Sequence, residues 1–267
     1  MIVIRGGGDL ATGVALRAHR AGFNVVITEL KQPLAVRRTV SFSEAIYDGK
    51  VTIEEVIGQS TTADKITHLQ KDKKIPVLVD PEAEVLASLH AGVKQIVVDA
   101  RMTKQPPASL STPPDLLIGL GPGFQAGRNC DAVIETRRGH TLGRVYWKGA
   151  VESDTKTPEG DPRRVIRSPV DGMLIGHKNI ADHCEAGDLI AEIISNTASR
   201  SRVQLKAPIE GVLRGLIHPG ILVSKDTKVG DIDPRDDPRY CFLVSDKALA
   251  VGGGVLEAIL SRFGTRE

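Results

Sequence analysis

Aromatic residues are scarce in this chain: they fill 3% of 267 positions, with a single Trp. That scarcity argues against nucleic-acid modules that stack bases on aromatic rings. An excess of one charge is lacking too. The formal net charge is +2, too small for a dominant phosphate-backbone partner. Cysteine is limited to Cys130, Cys184 and Cys241, which are widely spaced and odd in number. They form neither a disulfide framework nor a zinc-ligand pattern. No run approaches the roughly 20 apolar residues needed to span a bilayer. Met1 to Arg5 enters a strand-like run at once, leaving no space for a cleaved leader. The expectation is a cytoplasmic protein with neither a nucleic-acid nor a membrane partner.

What is present is apolar content of 41%, enough to build one large core or two ordinary ones. The first thirty residues read strand, glycine loop, helix, strand. The β-branched run Ile2 to Ile4 precedes Gly6-Gly7-Gly8-Asp9-Leu10-Ala11, which fits G-x-G-x-x-G/A. A helix through Val14 and Ala18 follows, and a second strand, Asn24 to Thr28, ends at Glu29. In such a loop Gly6 and Gly8 let the backbone approach a pyrophosphate at the helix N-terminus, Ala11 sits at the third position, and Glu29 stands where a ribose-binding acid belongs. Asp9 argues the other way, unless its carboxylate turns outward or caps the helix. A phosphate site and a tight structural turn both stay open. Arg37 and Arg38 follow in a loop, where they either clamp a phosphate or face solvent.

Further short apolar runs at Val51–Val56, Pro76–Val79, Gln95–Val98 and Leu116–Leu120 alternate with helical or polar stretches. This pattern predicts βαβ units: a Rossmann-like α/β domain, parallel sheet, helices on both faces. Ser41 and Glu44 form a capping-box pattern ahead of a short helix through Tyr47. The densest chemistry lies between Asp115 and Trp147. A strand empties into Gly119 to Gly123, Cys130 follows, and then come Arg137, Arg138, His140 and Arg144. Both glycine loops follow strands, so they are expected to share one sheet edge and wall one pocket. Cys130 is either a thiolate activated by neighbouring cations or a small buried hydrophobe.

Lys148 to Arg164 is polar, with Pro, Gly and mixed charge, and reads as a linker or long surface loop. Beyond it the sequence repeats itself. Ser168-Pro-Val-Asp-Gly172 returns as Ala207-Pro-Ile-Glu-Gly211, and Leu189 to Ile193 returns as Lys228 to Ile232, always at the same offset. The halves resemble the barrel-sandwich hybrid of biotinyl and lipoyl carrier domains. At the modified-lysine position this chain has Arg200, on the segment Ser195-Asn-Thr-Ala-Ser-Arg, so it carries no swinging arm. His177, His183 and Cys184 lack ligand-like spacing. Ser245-Asp246 opens a last helix, in which Gly252-Gly253-Gly254 signals a break, a close backbone approach or a third phosphate loop. The expected domains are 1–163, 164–236 and a C-terminal strand and helix segment, 237–267.

The motifs IRGGGDLATGVA, QPLAVRRTVSFSEAIYDG, IGLGPGF with NCDAVIETRRGHTLGRV, and CFLVSDKALAVGGGVLEAIL together resemble the accessory proteins of selenium-dependent molybdenum hydroxylase systems, the YqeB-like family. The resemblance implies a maturation factor that helps make, hold or insert a molybdenum cofactor, with a molybdenum hydroxylase and its other maturation factors as partners. On this view Gly6, Gly8, Asp9, Ala11, Glu29, Arg37, Arg38, Gly119, Gly121, Gly123 and Arg138 contribute to a site for molybdopterin phosphate. Cys130 and His140 would carry sulfur or acid–base chemistry. The alternatives are an NAD(P)-dependent oxidoreductase, with Glu29 on the ribose and His140 as acid/base, and a noncatalytic scaffold docking the hydroxylase. Self-association stays open.

Overall fold

A computed structural model describes residues 1–89, 92–153, 161–197 and 200–264. The chain divides into two compact units. One comprises 1–33, 41–155 and 244–267; the other comprises 34–40 and 156–243. The expected linker therefore falls at the division, with its residues 154–160 outside the described residues. The expected C-terminal segment divides as well, because its helix belongs to the first unit.

In the first unit the strands are β1 (Ile2–Arg5), β2 (Val25–Glu29), β3 (Lys50–Ile53), β4 (Val56–Ser60), β5 (Ile75–Val79), β6 (Ile96–Asp99), β7 (Leu116–Leu120), β8 (Gln125–Ala126), β9 (Ala132–Ile134), β10 (Val145–Tyr146) and β11 (Gly149–Ala150). The helices are α1 (Asp9–Arg20), α2 (Ala45–Asp48), α3 (Ile66–Lys71) and α4 (Asp246–Phe263). Nine strands form one sheet in the order β10-β9-β7-β6-β1-β2-β5-β4-β3, while β8 and β11 pair separately. Every pairing from β4 across to β9 is parallel, and only the edge strands β3 and β10 run antiparallel. Ile2, Val3, Ile4, Val26, Ile27, Val97 and Val98 are fully buried, as strands covered on both faces require.

One predicted run proved to be two strands. Val51–Val56 turns at Glu54 and Glu55, both with positive φ (44° and 74°), so β3 and β4 form a hairpin. Positive φ at both central residues matches the twist of a two-residue hairpin. The segment at Ser41 is also shorter than a capping box implies: a 3-10 turn, Phe42–Glu44, leads into the four-residue α2.

From β1 the chain passes to β2, then to the edge hairpin β3–β4, comes back to insert β5 between β4 and β2, and then crosses to place β6 on the other side of β1. The β1/β6 boundary is therefore the topological switch point, where open α/β sheets bind ligands beyond the strand ends. One face of the sheet packs Val3, Val26 and Val97 under Ile66 of α3 and Leu86. On the far face, α4 lies against β9 and crosses α1.

That crossing explains the glycines of α4, which is a single 18-residue helix. A Cβ on Gly252 would stand 2.7 Å from the Gly13 carbonyl oxygen, and one on Gly254 would strike the Gly143 carbonyl oxygen. Close backbone approach, not a break, is the reason for Gly252 and Gly254.

The second unit contains β12 (Val165–Arg167), β13 (Gly172–Gly176), β14 (His183–Cys184), β15 (Leu189–Ser195), β16 (Arg202–Lys206), β17 (Gly211–Leu216), β18 (Leu222–Val223) and β19 (Lys228–Asp233). They form two antiparallel sheets, β12-β19-β17-β14 and β16-β15-β13-β18. The sequence repeat maps β12, β13, β14 and β15 onto β16, β17, β18 and β19. Applied to either sheet, this mapping gives the strand order of the other, so each half donates two strands to each sheet. Gly172 and Gly211 recur because a Cβ there would strike the carbonyl oxygens of Ile194 and Asp233, themselves repeat-related. Arg200 has positive φ (44°); its neighbours 198 and 199, on the hairpin where a carrier lysine would stand, lie outside the described residues.

Candidate functional site at the sheet's switch point

The first glycine loop leaves β1 through Gly6, whose φ of +90° excludes most side chains. A Cβ on Gly7 would lie 2.8 Å from the Ser43 nitrogen, so packing against that neighbouring turn requires Gly7. Gly8 differs. It is the N-cap of α1 and faces open space, with nothing within 4 Å of a Cβ placed there. Ala11 is buried in the first turn of α1. Of the motif's residues, Gly8 alone combines a helix N-terminus with an open approach.

Two carboxylates also occupy this loop. Glu29 ends β2, accepts the Gly7 amide at 2.6 Å and accepts its own neighbour Leu30 at 2.7 Å. Burial pushes the Glu29 carboxyl up; the two amides and the charge of Arg101 counter this in part. Asp9, the first residue of α1, accepts the Leu10 amide at 2.9 Å, while the N-cap position itself is Gly8, with no side-chain cap.

Sequence reasoning missed the residues next to this loop. Thr28, Arg5, Asp99 and Gly119 are register partners across β2, β1, β6 and β7, so they stand in one row on one sheet face. Three are buried polar residues, Thr28 at 1%, Arg5 at 3% and Asp99 at 2% exposure. Arg5 donates to Asp99 at 3.3 Å and to the Pro81 carbonyl at 2.8 Å. Asp99 in turn holds Arg101 through Nε at 2.9 Å and Nη2 at 2.6 Å. The Arg101 Cγ lies 3.4 Å from where a Gly6 Cβ would be. The sequence signal was a charged residue closing each of two otherwise apolar strands, Arg5 in β1 and Asp99 in β6.

The second glycine loop meets the same segment. Gly121 (φ +102°) faces Met102, and Gly123 donates to the Thr103 carbonyl at 2.8 Å. Residues 101–103 therefore connect the two loops along one sheet edge, as their positions after strands implied. The glycines themselves are filled by protein. A Cβ on Gly119 would strike the Phe124 ring, and one on Gly123 would meet Thr103 and Gln105. They act as packing positions, in contrast to the open Gly8.

The remaining predicted site residues are dispersed. Cys130 is 8% exposed and packs with Phe124, Ala126, Val133 and Val151. Burial pushes its thiol up to about 11, and neither an arginine nor His140 counters this. Of the two alternatives left open for Cys130, this environment favours the small buried hydrophobe: β9 separates it from the basic segment that follows the strand's other end. In that segment Arg138 pairs with Asp246 at 2.6 and 2.9 Å, Arg137 pairs with Glu152, and His140 is exposed. Buried Glu135 anchors this segment by accepting the amides of Thr136, Arg137 and Glu152, each at 2.8 Å. Arg37 and Arg38 belong to the second unit. There Arg37 donates to the carbonyls of Tyr240 and Leu243, and Arg38 to that of Leu216. A cavity of about 300 Å³ is lined by Met1 and Gln95, which precede β1 and β6, and so lies at the opposite sheet edge.

The architecture is thus a mixed α/β protein whose large, mainly parallel sheet carries a glycine loop at its switch point. The chain is 41% identical over 265 residues to the uncharacterized protein YqeB of Escherichia coli K12, a homologue matched along 97% of this chain. The match spans 47% of YqeB, so the chain covers about half the length of that relative. No family model matches the chain. Among solved structures, the ectoine utilization protein EutE (DoeB) of Ruegeria pomeroyi is similar over 86% of this chain and 85% of its own, at 11% identity and a TM-score of 0.28. A succinylglutamate desuccinylase/aspartoacylase of Rhodobacter sphaeroides is similar over 32% and 29%, at 10% identity and a TM-score of 0.26. No helix among the described residues is long and apolar enough to cross a membrane.

Proposed function

We propose that this chain is a cytoplasmic accessory factor in the maturation of a selenium-dependent molybdenum hydroxylase, and that its Rossmann-like unit binds a phosphate-bearing ligand, molybdopterin or a nucleotide. The observation that carries the ligand-binding part is the open face of Gly8 at the N-terminus of α1, beside the β1/β6 switch point. The maturation part rests on the motif resemblance alone; the likeness to YqeB, along 97% of this chain and 47% of YqeB, supports the kinship and not the role. The second unit is read as an unmodified barrel-sandwich hybrid, supported by its two repeat-related sheets.

The residues fit a phosphate group at Gly8, with the carboxylates of Asp9 and Glu29 as opposing features. They do not fit a sulfur- or metal-bearing Cys130, since the thiol is buried and its pKa is raised. The accessory role is therefore assigned to holding the cofactor through its phosphate.

Glu29 favours a second reading, NAD(P) binding, because it ends β2 at the ribose-binding position. Native mass spectrometry of protein purified from a molybdenum- and selenium-supplied host separates the readings. Retained pterin supports the maturation factor; saturable NAD binding with turnover replaces it by the oxidoreductase. Capture of a hydroxylase with neither ligand leaves a scaffold.

A further inference from the structure

We propose that Arg101 is the cation that binds the phosphate of the glycine-loop ligand. The inference rests on the phosphate reading of Gly8 and names the residue that this reading lacks. The arginines suggested by the sequence are engaged elsewhere: Arg37 and Arg38 with carbonyls of the second unit, Arg138 with Asp246. Arg101 follows β6, the strand that forms the switch point with β1, and its side chain lies over Gly6.

Its placement is fixed from behind. Two bonds to Asp99 orient the guanidinium, and the buried Arg5 donates to Oδ2 of the same carboxylate. One buried carboxylate thus serves two arginines. Arg101 keeps 32% of its side chain exposed, whereas Arg5 is buried. A planar fork gripped on one edge still presents donors on another, which is how arginine binds phosphate while paired.

The row behind it has hydrogen-bonding capacity left over. Arg5 Nε and Thr28 Oγ1 are buried without a hydrogen-bond partner, and the two residues are register partners. Unmatched polar atoms inside a sheet are costly, and these two stand near the C-terminal ends of the adjacent strands β1 and β2, beside the switch point. Met102, next in the chain, has a φ of +58°, a conformation that non-glycine residues seldom adopt. Acids face the same guanidinium: Asp99, Glu82 and Glu29 all act on Arg101. Glu29 is the internal competitor, since its carboxylate already occupies the Gly7 amide.

Calorimetric titration of the full chain with inorganic diphosphate at low salt tests the assignment. Wild type is expected to bind saturably, with affinity falling as salt rises. Arg101→Gln should weaken binding tenfold or more. Arg101→Lys, which keeps the charge but not the two-bond grip of Asp99, should fall between them. Gly8→Val, which closes the helix end, reports on the loop itself. If Arg101→Gln binds like wild type while Gly8→Val does not bind, Arg101 is excluded and the loop reading survives. Wild-type protein that ignores millimolar diphosphate overturns both. The unliganded melting temperature of each variant guards against loss of fold; if Arg101→Gln is unfolded, Arg101→Lys carries the comparison, and wild-type affinity in it excludes the proposed grip.

Discussion

Glu29 Oε2 accepts the Gly7 amide at 2.6 Å, so the acid at the end of β2 is bound to the glycine loop it faces. This contact places a half-buried carboxylate beside the proposed phosphate site. Removing the charge should act oppositely on two kinds of ligand. Glu29→Gln is expected to strengthen inorganic diphosphate binding several-fold, by relieving like-charge repulsion. It should weaken binding of a dinucleotide whose ribose hydroxyls need the carboxylate. Titration of both ligands checks this, and equal affinities in wild type and variant would remove Glu29 from the site.

The α1/α4 crossing yields a stability prediction with an internal control. Gly252 abuts the Gly13 carbonyl, whereas a Cβ on Gly253 would meet nothing within 4 Å. Gly253→Ala should therefore stabilise by up to about 1 kcal/mol, the ordinary helix-propensity gain. Gly252→Ala gains the same propensity but must push two helices apart, which costs about 1–3 kcal/mol. Urea unfolding should show the two variants moving in opposite directions or, at the least, Gly253→Ala clearly above Gly252→Ala. Equal midpoints would mean that the helices do not touch there.

Cys130 should behave as a packing residue. Its pKa of about 11 leaves almost no thiolate at pH 8. Iodoacetamide at that pH should leave the folded protein unlabelled at Cys130 and label it readily in urea. Cys130→Ala is expected to cost about 1 kcal/mol of stability and to leave hydroxylase maturation in cells intact. Abolished maturation by a folded Cys130→Ala protein would restore a sulfur role.

In the second unit, pH dependence should centre on Asp233. Burial pushes its carboxyl up, but hydrogen bonds from Arg235 and the charges of Arg214 and Arg235 outweigh this and hold it at about 2. Its folded pKa lies below the ordinary 3.8, so the stabilisation is present in full above that value and lost as pH falls toward 2. It amounts to on the order of 2 kcal/mol at neutral pH. Urea midpoints of wild type and Asp233→Asn should differ at pH 6, draw together as pH falls below 3.8 and converge only below about 2. A gap independent of pH would contradict the ion-pair explanation.

The sequence by itself determined the parallel sheet, the glycine loop opening α1 and the acid ending β2. Each depends on residues adjacent in the chain: β-branched runs, glycine spacing and a helix start. It also determined the duplication in the second unit, because the same backbone approach at Gly172 and Gly211 demands the same residue. Tertiary structure alone decided which glycines face open space and which face protein. Gly8 and Gly123 both stand in glycine-rich loops that follow strands, yet one looks outward and the other meets Thr103 and Gln105. The folded structure also decided that Arg37 and Arg38 belong to the second unit, that β9 separates Cys130 from the basic segment, and that Arg101 lies over Gly6. These outcomes follow from strand order and register, which bring together residues nearly a hundred positions apart, and no local pattern encodes such pairings.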